Sequence, residues 1–261
     1  MRLLVSVSDA EEVSAALAGD ADVVDAKDPR SGALGAVPLD VFRAIHTAVA
    51  GARPVTAAIG DATDEVSVER TAHAFAGAGA RFVKVGFAAI ESGPRVAALA
   101  RAAVRGASAA ARDAAVIVVA YADAERAASL SPTAMIDVAA RAGARGVLLD
   151  TADKRGPGLR ALVPRGALAA WVTHAHDRRL LVALAGKLSA DDLAFVCDAG
   201  ADIAGVRGAA CDGGRTGRVS ADRVRDLRIR LDDLSGLGVP RFESAAPLAM
   251  RRSDRPRHSP Q

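Results

Sequence analysis

Cysteine, aromatic residues, lysine and long apolar runs are all scarce in this chain. Its two cysteines fall in unrelated surroundings, Cys197 in a helical pattern and Cys211 in a glycine-rich loop. Neither a disulfide framework nor a zinc site is expected, and both are read as free thiols. No stretch approaches the roughly 18 apolar residues a membrane span needs, and the apolar run after Met1 is too short for a signal peptide. The expectation is therefore a cytoplasmic protein with no membrane partner. Aromatics make up 3% of the residues and no basic stripe interleaves with them, so a net charge of +3 is weak support for nucleic acid. His46 and His73 sit in helical patterns, while His174 and His176 precede a strand, and none is given a role. No pair of residues has metal-ligand spacing, and no Walker loop or G-x-S-x-G motif is present.

The shortage of lysine is the most informative of these. Only four of the 34 basic residues are lysines: Lys27, Lys84, Lys154 and Lys187. A guanidinium neither deprotonates at workable pH nor forms an imine with a carbonyl. A chain that otherwise uses arginine keeps lysine where amine chemistry requires it.

What the chain has in abundance is short apolar runs. Eight of them, at 3–7, 23–26, 55–59, 82–85, 116–120, 146–149, 180–185 and 203–206, are each followed by a loop and an amphipathic helical pattern. A parallel strand needs a crossover helix, so eight such units predict a single-domain α/β fold, the (β/α)8 TIM barrel, over residues 1–235. A doubly wound open sheet is the alternative. Gly19, Gly79, Gly143 and Gly200 stand where helices end before the even-numbered strands, an internal echo that suits the left-handed C′ conformation. Ser8, Asp64, Ser131, Ser189 and Ser220 are the expected N-caps. The arginine-, proline- and serine-rich stretch 236–261 is expected to be a disordered basic tail.

All four lysines fall at or just after strand ends, the face where such barrels carry their active sites. The two-residue strand period places Asp25 and Lys27 on one face, which must be the barrel interior if both meet a substrate. Lys84 lies in the fourth run, and Asp150 ends the sixth, just before Lys154. Clustered amines depress one another's pKa, as a Schiff-base nucleophile or general base requires, whereas paired carboxylates oppose that shift. Taken singly, each lysine also fits an ordinary ion pair at a barrel rim. After the seventh and eighth runs, Gly186 and Lys187, then Arg207, Gly208, Gly213, Gly214 and Arg215, make a candidate phosphate pocket; an unliganded surface loop is the plain alternative. Asp9 and Asp61 border this face but read more simply as a helix cap and a solvated loop residue.

The segments Leu3-Leu4-Val5-Ser6-Val7, Asp25-Ala26-Lys27-Asp28-Pro29, Gly32-Ala33-Leu34-Gly35, Phe82-Val83-Lys84-Val85-Gly86, Asp150-Thr151-Ala152-Asp153-Lys154 and Gly205-Val206-Arg207-Gly208-Ala209 together resemble the (5-formylfuran-3-yl)methyl phosphate synthase family, over roughly residues 1–235. The resemblance implies a lyase that condenses two glyceraldehyde 3-phosphates, losing one phosphate and two waters and using neither a metal nor an organic cofactor, in the biosynthesis of methanofuran-type cofactors of one-carbon metabolism. It implies Lys27 as the Schiff-base lysine, Lys84 as a proton acceptor, and Asp25, Asp150 and Lys154 as further catalytic or charge-positioning groups. The partner it implies is a small phosphosugar; self-association is left open. The competing readings are a class I aldolase acting on another phosphosugar and a non-catalytic phosphosugar-binding barrel. A nucleic-acid module resting on the tail alone is a third.

Overall fold

The computed structural model describes residues 1–236. Eight parallel strands close into a barrel in sequence order: β1 (Arg2–Val7), β2 (Val23–Ala26), β3 (Val55–Asp61), β4 (Phe82–Gly86), β5 (Ala115–Tyr121), β6 (Gly146–Asp150), β7 (Leu181–Leu184) and β8 (Ile203–Val206). Helices α1 (Val13–Ala18), α2 (Leu39–Val49), α3 (Glu65–Gly77), α4 (Gly93–Ala110), α5 (Ala124–Ala127), α6 (Pro132–Ala142), α7 (Leu159–Leu162), α8 (Arg165–Asp177), α9 (Leu193–Asp198) and α10 (Ala221–Gly236) lie in the crossovers and after β8. This is the TIM barrel, not the open sheet.

At their C-terminal ends four strands, β3 to β6, run further than their apolar stretches. Ladder pairing continues through Tyr121 opposite Asp150 and through Asp61 opposite Gly86, so polar residues extend β3, β5 and β6 toward the rim. The loop after β8 also contains a hairpin, β9 (Cys211–Asp212) with β10 (Arg218–Val219). Helix α10 reaches Gly236, one residue past the expected domain boundary; the rest of the expected tail, 237–261, lies outside the described residues.

Inside the barrel, Leu4, Val23, Ile117, Leu148, Ala183 and Ile203 form an apolar plug. Two residues further along β1, β2 and β6, the same inward face carries Ser6, Asp25 and Asp150. Asp64 and Ser131 cap helices by accepting from Ser67 N and Ala134 N, and Ser189 forms a capping box with Asp192. Ser8 does not cap: Asp9 accepts from the Glu11 and Glu12 amides, and Ser8 donates to the Glu12 carboxylate. Of the four helix-ending glycines, Gly79, Gly143 and Gly200 are left-handed, but Gly19 is not. There the left-handed residue is Asp20, and Gly19 serves close packing, since a Cβ would stand 2.4 Å from Val224 Cβ on α10.

Gly106 in α4 has the same role against α3, where an added Cβ would meet the Glu69 carbonyl oxygen at 2.1 Å. Alanine favours a helix over glycine by about 1 kcal/mol. Even so, Gly106→Ala should lower stability by about 1–3 kcal/mol through overpacking. A urea midpoint raised by the substitution would contradict this helix contact.

Candidate active site

The polar ring at the C-terminal end of the barrel is built around Asp25. Strand register sets Ser6 of β1 and Thr56 of β3 on either side of it. Ser6 Oγ donates to Oδ2 at 2.9 Å and Thr56 Oγ1 to Oδ1 at 2.7 Å. Lys84 Nζ completes the set, 2.6 Å from Oδ2, with both charged groups buried. Lys84 pairs in register with Ala58 of β3, whose small side chain leaves room for the lysine to reach past it to β2. Breaking such a pair costs more than forming it returns, because the abandoned charge stays buried.

A second pair lies across the opening. Lys154 Nζ donates to Asp150 Oδ1 at 2.5 Å and to Thr151 Oγ1 at 3.3 Å. The turn carrying Lys154 is fixed by Asp123, after β5, whose carboxylate accepts from the Ala152 and Asp153 amides at 2.7 and 2.9 Å. Burial alone would raise the Asp150 pKa, but Lys154, Lys27 and the Thr151 N–H hold it below its ordinary value.

Lys27 stands between the two pairs without joining either. Its side chain is buried, and among the described residues its amine has neither a hydrogen bond nor an ion pair. Burial is the largest influence on it and lowers its pKa. Asp150 and Asp25 oppose the shift, Lys84 and Lys154 reinforce it, and the result is about 8. At pH 7 that leaves roughly one amine in ten neutral.

These five residues line one cavity of about 490 Å³, open at the C-terminal end of the barrel. Gly186, Lys187, Gly208 and Arg215 line it too, from the loops after β7 and β8. Two expectations for these loops need correcting. Arg207 reaches the cavity wall, but all five of its N–H donors are engaged: with both Glu12 carboxylate oxygens and with the carbonyls of Ser6, Arg215 and Gly217. It has no donor left for a phosphate, and its work is to tie the β8 loop to β1. Gly213 and Gly214 line no part of the cavity; with φ of +79° and +78° they turn the exposed β9–β10 hairpin.

Several contributors went unread in the sequence. Ser6 and Thr56 share the inward face with apolar strand neighbours, and that parity was a usable signal. Glu12 was not, because its partner Arg207 lies 195 residues away. Burial pushes the Glu12 pKa up, but the Arg207 guanidinium and the Ser8 and Val219 amides outweigh it and hold the carboxyl low. Arg223 of α10 also lines the cavity, with Nε 2.5 Å from Asp212. Asp9 is a cap, as read, and Asp61 accepts from Tyr121 Oη and Ala88 N rather than facing water alone. Among the described residues no cluster of three His, Cys, Asp or Glu side chains is placed to hold a metal ion, and no helix is long and apolar enough to cross a membrane.

A family model described as 4-HFC-P synthase matches residues 3–228. A Streptomyces griseus protein provisionally named (5-formylfuran-3-yl)methyl phosphate synthase is 39% identical over 237 residues, 89% of this chain and 95% of that protein. The (5-formylfuran-3-yl)methyl phosphate synthase of Methanocaldococcus jannaschii is 34% identical over 231 residues, 87% of this chain and 98% of its own. Among solved structures, 3-hexulose-6-phosphate synthase from Salmonella typhimurium superposes with a TM-score of 0.62, covering 90% of this chain and 100% of that one. Its sequence identity is 17%, so the likeness is one of fold.

A buried lysine whose pKa falls from 10.5 to about 8 destabilises the folded state wherever it is protonated. The penalty is fully present below pH 8, where both states carry the proton. It fades as pH rises toward the unfolded value, because the unfolded chain then binds more protons. Lys27→Met should therefore stabilise the protein at pH 7 by about 3 kcal/mol, with the difference shrinking above pH 8. Urea unfolding across pH checks this; a variant less stable than the parent at pH 7 would contradict it.

Proposed function

Because the chain belongs to the 4-HFC-P synthase family, we propose that it condenses two glyceraldehyde 3-phosphates into (5-formylfuran-3-yl)methyl phosphate, as a lyase serving methanofuran-type cofactor biosynthesis. The observation that carries this reading is Lys27: a buried amine with no ion-pair partner among the described residues, set between two lysine–aspartate pairs and with its pKa lowered by burial to about 8.

The neutral Lys27 amine attacks an aldehyde carbon, and the carbonyl oxygen leaves as water. The resulting iminium withdraws electrons, so the neighbouring carbon loses its proton and becomes a nucleophile toward the second triose. A carbon–carbon bond forms, one phosphate and two waters leave overall, and hydrolysis of the imine returns Lys27 to its amine form. Protons need carriers at each of these steps. Lys84 and Asp25, 2.6 Å apart, act as one acid–base unit, since a proton passed to Asp25 frees the Lys84 amine to accept another. Lys154 and Asp150 form the second unit, at the more open side.

Borohydride added during incubation with glyceraldehyde 3-phosphate should attach substrate mass to the peptide containing Lys27, and a furan chromophore should form from that single substrate. Lys27→Arg keeps the charge but should abolish both signals. Aldol cleavage products without a furan would identify a class I aldolase instead. Undiminished furan formation in the arginine variant would remove Lys27 from the nucleophile's role.

A further inference from the structure

The proposed reaction brings two phosphate groups into one cavity, and the cations lining it sort by whether they have a carboxylate partner. Lys84 is paired with Asp25, Lys154 with Asp150, Arg207 with Glu12 and Arg223 with Asp212. Three lining cations have no carboxylate within ion-pairing distance among the described residues: Lys27, Lys187 and Arg215. Lys27 lies in the interior. The other two stand at the rim, and each is tethered by a single side-chain hydrogen bond to a backbone carbonyl.

Those tethers lie on different loops. Lys187, after β7, donates to the Gly156 carbonyl in the loop that follows β6. Arg215, beyond β8, donates to the Gly32 carbonyl in the loop that follows β2, at 2.6 Å. From neighbouring strands they lean in opposite directions around the mouth, toward β6 and toward β2. Burial lowers the Arg215 pKa, yet the guanidinium stays charged at any working pH. Among the described residues, Lys187 keeps two of its three N–H donors unengaged, and Arg215 keeps four of five.

We propose that the cavity has two separate phosphate subsites, one for each triose phosphate: the first at Lys187, between the β6 and β7 loops, and the second at Arg215, between the β8 and β2 loops. This rests on the two-triose reading of the reaction. A single shared phosphate pocket would place its free cations together, whereas these point apart. Two anchors also hold two like-charged substrates at a distance while their carbonyl ends meet at Lys27, between the ion pairs.

The test uses glycerol 3-phosphate, a triose phosphate with no carbonyl, which can occupy the subsites without forming an imine. Calorimetric titration of the whole chain should give two sites per chain. Lys187→Gln and Arg215→Gln should each weaken a different one by about 10- to 100-fold, the loss of one charged hydrogen bond. The site left intact shows that each variant is folded, and Arg215→Lys should restore part of the second. One site per chain in the parent, or loss of the same site in both variants, would overturn the proposal. Turnover separates this from the reaction itself. Two sites with no furan from glyceraldehyde 3-phosphate would uphold the subsites and reject the condensation; furan formation with one site would do the reverse.

Discussion

The buried contact between Lys84 Nζ and Asp25 Oδ2 governs the state of the groups around it. With Ser6 and Thr56 already donating to it and Lys84 attached, Asp25 has little capacity left to hold a proton on Lys27. Asp150 is drawn to Lys154 in the same way. The two carboxylates that would otherwise make Lys27 an ordinary ammonium are thus each engaged by another lysine. Their residual fields oppose the desolvation of Lys27 without overcoming it, and the amine settles near the pH at which it can act as a nucleophile.

The barrel was legible because its signals are local and repeat eight times. Strand boundaries agree with the apolar runs to within two residues, and the differences include the polar residues Asp61, Tyr121 and Asp150 that ladder pairing carries into the sheet. The inward direction of Asp25 and Lys27 followed from a period of two, and the structure brings both into the cavity with Lys84, Asp150 and Lys154. Asp64, Ser131 and Ser189 cap their helices as the local pattern implies. At Ser8 the neighbouring Asp9 is the stronger acceptor, and sequence position alone did not separate them.

What was not legible was who pairs with whom. Arg207 and Arg215 stand in one glycine-rich segment and look equivalent there. In the fold, Glu12 and three backbone carbonyls take up every donor of Arg207, whereas Arg215 has no carboxylate partner among the described residues and a single bond to the Gly32 carbonyl. That difference is long-range, and it reverses the expected function of Arg207 from ligand binding to loop support. Gly213 and Gly214 misled for a related reason: glycines that turn a hairpin and glycines that expose amides to a phosphate are the same residues in sequence.

The poise of Lys27 between its neighbours has a direct reading in solution. Because the chain has only four lysines, lysine labelled at Cε resolves each amine as its own NMR signal, and Lys27→Arg identifies the one of interest. This signal should titrate with a midpoint near pH 8. A Lys27 midpoint at or above the ordinary 10.5 would contradict it, because the amine would then be an ammonium held by the aspartates.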